Sequence, residues 1–297
     1  IENSFFVRAL RGITTRARED GYELMLANTD EDLDTERNAV ALLVSRRVDG
    51  IIACPIDPSD VGHLEGLREH GIPLVLLDRS APRLRADTVG IDNVAAGQEA
   101  TGVLLAAGHT RIGMLSGVSP DATLSAFAPE RSADATPTMD RVRGYCLALR
   151  TAGLTPDVRL VSSGGIHLDE AADAAVAMLS RPEAPTAIIA SDSLQTLGAL
   201  QALQRLGLSA PEDVSIVGFD NAEWAQVVDP PMTVIEQPAE EIGRSAMRFL
   251  SERIDEATDE PRDLRMPVRL IPRESVGPPR EGPAPLARVG GQPGAGD

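Results

Sequence analysis

Between Thr186 and Pro238 short apolar runs alternate with one long helix-periodic stretch, and that alternation restricts the fold more than any other feature. Ala187–Ala190 is an apolar run ending in Ser191-Asp192. Leu194, Leu197, Leu200, Leu203 and Leu206 then recur every third residue, which predicts one buried helix face. Gly207 stands where a left-handed cap would end that helix. Pro211-Glu212-Asp213 turns the chain into Val214–Phe219, and Asp220 follows directly. Strand, helix, strand, loop, strand is the order of parallel βα units, whose sheets bind small ligands at the carboxyl ends of their strands. Asp192 and Asp220 stand at two such ends.

The same alternation runs along most of the chain. Helices are predicted near Phe5–Asp20, Thr35–Arg46, Pro58–His70, Val94–Ala107, Arg141–Thr151, Leu168–Ser180 and Ala239–Ile254. Strands are predicted at Glu23–Ala27, Gly50–Ala53, Pro73–Leu77, Thr88–Ile91, Arg111–Ser116, Arg159–Ser162 and Val268–Ile271. With 297 residues the chain exceeds a comfortable single core, which points to two α/β domains. The stretch Val118–Asp140 is small, polar and proline-containing, as a mobile loop would be. Residues 277–297 are rich in proline and glycine and predict a disordered tail.

Charge and motifs exclude several functions. The formal charge is −17 and every basic residue apart from histidine is an arginine, so the chain as written is poorly suited to gripping nucleic-acid phosphates. No run is long enough to span a bilayer. Cys54 and Cys146 sit in separate apolar segments, which suggests buried thiols in a reducing compartment. His63, His70, His109 and His167 have no metal-ligand spacing, and no phosphate-binding glycine motif or nucleophile motif is present. The expectation is no catalysis, no metal and no cofactor.

Ala190-Ser191-Asp192 with Gly198, then Pro211-Glu212-Asp213-Val214-Ser215-Ile216-Val217-Gly218-Phe219-Asp220, Pro230-Pro231-Met232-Thr233 and Gln237-Pro238 form an ordered set. Gly21-Tyr22, Asn28-Thr29-Asp30, Val48-Asp49-Gly50-Ile51-Ile52, Gly108-His109-Thr110-Arg111-Ile112 and Arg141-Val142-Arg143-Gly144-Tyr145 belong to it. Over roughly Ile1 to Pro279 the chain resembles the effector-binding core of the lactose-repressor/galactose-repressor family of bacterial transcription regulators. The resemblance implies a periplasmic-binding-protein-like type I fold: two doubly wound parallel-sheet lobes joined by three crossings. It puts residues 1–108 with 238–266 in one lobe and 109–237 with 267–276 in the other. It also implies a first, central strand just upstream of Ile1 and, beyond it, a helix-turn-helix DNA-binding head. The implied function is a cytoplasmic, homodimeric sensor that holds a small effector, a sugar or sugar derivative, between its lobes. Operator DNA would be bound only through the head. The alternative is a periplasmic sugar-binding protein feeding a transporter.

Each candidate ligand residue has a plainer reading beside it. Asp92 and Asp192 each precede a helix and are either N-caps or ligand contacts. The family more often has Asn-Asp where this chain has Asp192-Ser193, a change that favours ligand hydroxyl or amine donors and disfavours anions. Asp220 opens no obvious helix, so ligand contact is its stronger reading. Arg141 lies at a predicted helix start, where a cation opposes the dipole and recognition is the more natural role. Phe5, Phe6 and Trp224 are candidate aromatic walls for the C–H face of a sugar, with Phe5 and Phe6 equally suited to a core.

Overall fold

The computed structural model describes residues 3–128, 136–255 and 260–280. The first stretch of elements is α1 (Ser4–Asp20), α2 (Leu33–Ser45), β1 (Ile51–Ala53), α3 (Gly62–Glu65), β2 (Leu74–Leu77) and β3 (Asp87–Ile91). Next come α4 (Asn93–Ala106), β4 (Ile112–Ser116), α5 (Pro120–Phe127), α6 (Pro137–Thr151), β5 (Val161–Ser163) and α7 (Leu168–Leu179). The remainder is β6 (Ala187–Ala190), α8 (Ser193–Leu206), β7 (Ser215–Phe219), β8 (Thr233–Glu236), α9 (Ala239–Asp255), β9 (Asp263–Met266) and β10 (Arg269–Ile271).

These elements divide into two compact units. The first takes in residues 3–92, 136–137, 237–255 and 260–268 around an all-parallel sheet of order β1-β2-β3-β9. Its α1 is opened by Asn3, whose side chain accepts from the Phe5 amide, and closed by Gly21 at φ 82°. Val40, Ile51, Val61, Leu64, Leu67, Leu76 and Ala81 form one core cluster. On the other side α1 lies against α9 so closely that a methyl on Gly12 would collide with the Glu240 carbonyl, and one on Gly243 with the Ala9 carbonyl. Asp87 is buried at the start of β3 and accepts from both Arg253 and Arg262, which ties the sheet to α9 and β9. Burial alone would raise its pKa, but those guanidinium bonds outweigh it and hold the carboxyl below the usual range.

The second unit takes in residues 93–128, 138–236 and 269–280, with sheet order β10-β8-β7-β6-β4-β5. Every pair is parallel except β10 with β8. Strands β4, β6 and β7 are buried along their whole lengths, as continuous apolar runs covered on both faces must be. Ala199, Ala202, Leu203 and Leu206 of α8 enter the core with Ala175, Met178 and Leu179 of α7. Leu194, Leu197 and Leu200 are only half-buried. Three-residue steps fall about 60° short of a full turn, so a stripe of every third residue winds off any single face. The buried face is instead the small-residue side of α8.

Several expectations are corrected. Glu23–Ala27 forms no strand and pairs with none among the described residues, and Leu24, Met25 and Leu26 are exposed. An apolar run has strand propensity, yet a ladder needs a neighbour. Pro58–His70 is not one helix but α3 followed by a 3-10 turn, Gly66–His70. Within Val118–Asp140 lies helix α5 and the start of α6, while residues 129–135 fall outside the described set. The first crossing between units falls at Asp92–Asn93, not near Gly108, because α4 packs on β6, β7 and β8. Residues 277–280, placed in a disordered tail, are held. Gly277 exchanges hydrogen bonds with the Ser215 hydroxyl and accepts from buried His109, and Arg280 donates to the Asp213 carbonyl. The rest of that tail, 281–297, lies outside the described residues.

Candidate functional site

At the carboxyl ends of β6 and β7 the second unit gathers Arg141, Ser191, Asp192, Phe219 and Asp220, with Asn93 from the head of α4. Arg141 is only 5% exposed. Its Nε donates to Asn93 Oδ1 at 2.9 Å and its Nη1 to the Ser191 carbonyl at 2.5 Å. Its guanidinium lies 4.4 Å from the centroid of the Phe219 ring. A ring face and two acceptors set the plane of the fork, and this is how a buried cation is kept in one orientation. Because α6 begins at Pro137, Arg141 stands a full turn inside the helix and the argument from the dipole at a terminus loses its weight.

Asp192 is the N-cap of α8. Its backbone is extended, Oδ1 accepts from the Leu194 and Gln195 amides at 2.9 Å each, and Oδ2 accepts from the Ser191 hydroxyl at 3.2 Å. Burial raises its pKa, over the opposing effects of those amides, the Arg141 charge and the Ser191 hydroxyl. Much of its acceptor capacity is therefore already committed to the scaffold. Asp220 is built differently. It is 6% exposed, it sits at φ 66°, and its amide donates to the Ile235 carbonyl across the sheet at 2.9 Å. A left-handed backbone at a non-glycine residue is uncommon, and aspartate is among the few side chains that tolerate it.

Of the other sequence-predicted residues, Phe5, Phe6 and Asp92 belong to the first unit and Trp224 to the second. Asp92 is exposed and is the last residue of the first unit. Phe5 is 4% exposed and takes the core reading, so it offers a ligand almost no surface, while half-buried Phe6 meets it edge-on at 5.2 Å. Trp224 lies in the 3-10 turn Glu223–Gln226 and packs against the second unit's core, so it is anchored rather than standing in a polar loop. Sequence reasoning missed Asn93, the Ser191 carbonyl and the Phe219 ring. Asn93 follows a strand-end acid directly and was the one legible signal among them. Cys54 and Cys146 are free thiols, and burial pushes both up to about 12, out of reach of thiolate chemistry. Among the described residues no group of three or more His, Cys, Asp or Glu could hold a metal ion. No helix among them is long and apolar enough to cross a membrane.

Residues 1–274 match the model of the family described as periplasmic binding proteins and sugar binding domain of LacI family. The chain is 33% identical over 250 residues to the HTH-type transcriptional repressor CytR of Escherichia coli (strain K12), covering 83% of this chain and 68% of the relative. A putative ribose operon repressor from Burkholderia thailandensis superposes with a TM-score of 0.76 at 35% identity, covering 91% of this chain and 95% of that one. A LacI-family regulator from Enterococcus faecium with bound ribose superposes with a TM-score of 0.80 at 27% identity, covering 94% and 96%.

Proposed function

The chain belongs to the family of periplasmic binding proteins and LacI-type sugar-binding domains, as the regulatory ligand-binding domain of a transcriptional repressor, and from that premise we propose that Arg141, Asp192 and Asp220 contact a neutral, hydroxyl-rich effector. The observation that carries this reading is the arrangement of Arg141: a buried guanidinium on a phenyl ring, with two of its five N–H donors used and its Nη2 edge uncommitted among the described residues. Asp192, whose carboxyl feels the Arg141 charge, and Asp220, buried at the end of the neighbouring strand, disfavour an anionic ligand and suit one that donates hydroxyls. A sugar answers that description, and ribose is what the Enterococcus faecium relative holds. The site binds and does not catalyse. The protein works in the cytoplasm as a homodimer, matching the two half-sites of an operator, and the effector changes the affinity of a helix-turn-helix segment for DNA.

A thermal-shift and calorimetric screen with D-ribose, other pentoses and hexoses, nucleosides and sugar phosphates tests the reading. A neutral sugar or nucleoside should raise the melting temperature, and Asp220→Asn should abolish most of that rise. A preference for the phosphorylated form of any sugar in the screen would overturn it.

A further inference from the structure

Asn93 opens α4 and is the first residue of the second unit, and it is 5% exposed. Its distance from Arg141 is set by backbone packing. A methyl on Gly97 would collide with the Arg141 carbonyl, and one on Gly144 with the Val94 carbonyl. Helices α4 and α6 therefore touch main chain to main chain within the turn that Arg141 opens on α6 and the turn that follows Asn93 on α4. That contact brings Oδ1 of Asn93 to 2.9 Å from Arg141 Nε. The Ser191 carbonyl holds the Nη1 side of the guanidinium, and Phe219 supports one face. Without Asn93 the group could turn about the remaining hydrogen bond while still resting on the ring.

The chemistry of the acceptor matters as much as its position. An amide oxygen is neutral, so it orients the guanidinium without compensating its charge. A carboxylate there would hold the same edge as an ion pair. We propose that Asn93 is a positioning residue for Arg141: it fixes the orientation of the guanidinium and leaves its charge and its Nη2 edge for a ligand oxygen. The chain crossing at Asp92–Asn93 thus delivers one of the site's supports directly. The functional weight of this contact rests on the effector site proposed above, but the contact itself can be tested with no ligand present.

The experiment follows the Arg141 Nε–H signal by nitrogen-proton NMR in the full chain. In the unsubstituted protein it should be protected from solvent exchange. Asn93→Leu keeps the bulk and removes the acceptor, and should speed its exchange by about tenfold or more. Asn93→Asp should restore protection, which a merely structural role for the amide would not predict. Asn93→Ala serves as the second acceptor-free variant should leucine disturb folding, with the remaining amide spectrum reporting the fold. Protection that survives both acceptor-free variants, or that fails to return with aspartate, overturns the proposal. Titration with D-ribose separates this from the site reading. Signals that respond to Asn93 but never to ribose, nor to any other compound that raises the melting temperature, would sink the effector site and leave the positioning contact standing.

Discussion

Among the described residues, two helix pairs cross with a glycine of each helix set against the backbone of the other. In the first unit Gly12 of α1 lies against Glu240 and Arg244 of α9, and Gly243 of α9 against Ala9 of α1. In the second, Gly97 of α4 meets Gly144 of α6. The first crossing sits among buried apolar side chains, with Ala9, Ile13 and Ala17 on one helix and Ile242, Ala246 and Leu250 on the other. It is packing and nothing else. The second crossing brings a neutral acceptor to a buried guanidinium at the end of a sheet. The same backbone device therefore secures a scaffold in one unit and orients a buried guanidinium in the other.

Substitution at the two crossings should separate these roles. Gly12→Ala or Gly243→Ala forces the helices apart against backbone atoms that cannot yield, and should cost about 3 kcal/mol in a urea titration. The effector affinity of the molecules that remain folded should not change. Gly144→Ala should cost a similar amount, about 3 kcal/mol, and should also weaken binding by about tenfold through displacement of Arg141. Equal losses of affinity from both crossings would end the distinction.

Asp220 is the next largest effect. Asparagine keeps the shape and tolerates the φ of 66°, so Asp220→Asn should leave the ligand-free melting temperature nearly unchanged. Loss of the charged hydrogen bond should weaken effector binding by about ten- to a hundredfold. Asp220→Ala should lose the same affinity and about 1 kcal/mol of stability besides, since alanine is strained in that backbone region. Calorimetry of both variants beside their urea curves checks this. Full affinity in the asparagine variant would show Asp220 to be a turn former alone.

How far the sequence disclosed this arrangement depended on which physical rule each residue obeyed. The parallel order of β4, β6 and β7 was legible because apolar runs buried on both faces leave no alternation to misread. Strand β9, Asp263–Met266, was not, because its run is short and interrupted by charge, and pairing with β3 makes it a strand. The residues of Glu23–Ala27 show the converse, strand composition without a ladder. That Arg141, Asp192 and Asp220 come together near the ends of β6 and β7 could be expected from motif and position. Their division of labour could not. Whether a strand-end aspartate spends its oxygens on a helix terminus depends on whether a helix starts immediately after it. One does after Asp192, whereas Asp220 leads into Asn221 and a 3-10 turn. Asn93 was missed because its role requires knowing that two helices forty residues and more apart in sequence meet at glycines.

The smallest expected effect concerns Asp192 and is resolved by pH. Its folded pKa lies above the ordinary 3.8, chiefly because burial disfavours the charge. A group raised in this way favours the folded state fully at pH below its unfolded value, and that contribution is lost as pH rises through the folded value. At neutral pH the unfolded chain therefore gains more from ionising this carboxyl than the fold does, and the fold is the less stable for it. Asparagine caps a helix as well as aspartate does and carries no charge. Asp192→Asn should accordingly raise ligand-free stability at pH 7 by about 1 kcal/mol, and the gain should shrink to nothing near pH 3, where the wild-type group is already protonated. Asp192→Ala should instead lose about 1 kcal/mol at every pH, because the Leu194 and Gln195 amides lose their acceptor. Melting curves of the three proteins between pH 3 and pH 7 decide the matter. An asparagine variant less stable than wild type at neutral pH would mean that the Arg141 charge already compensates the carboxylate, and Asp192 would then join Arg141 as half of an ion pair rather than standing as a cap.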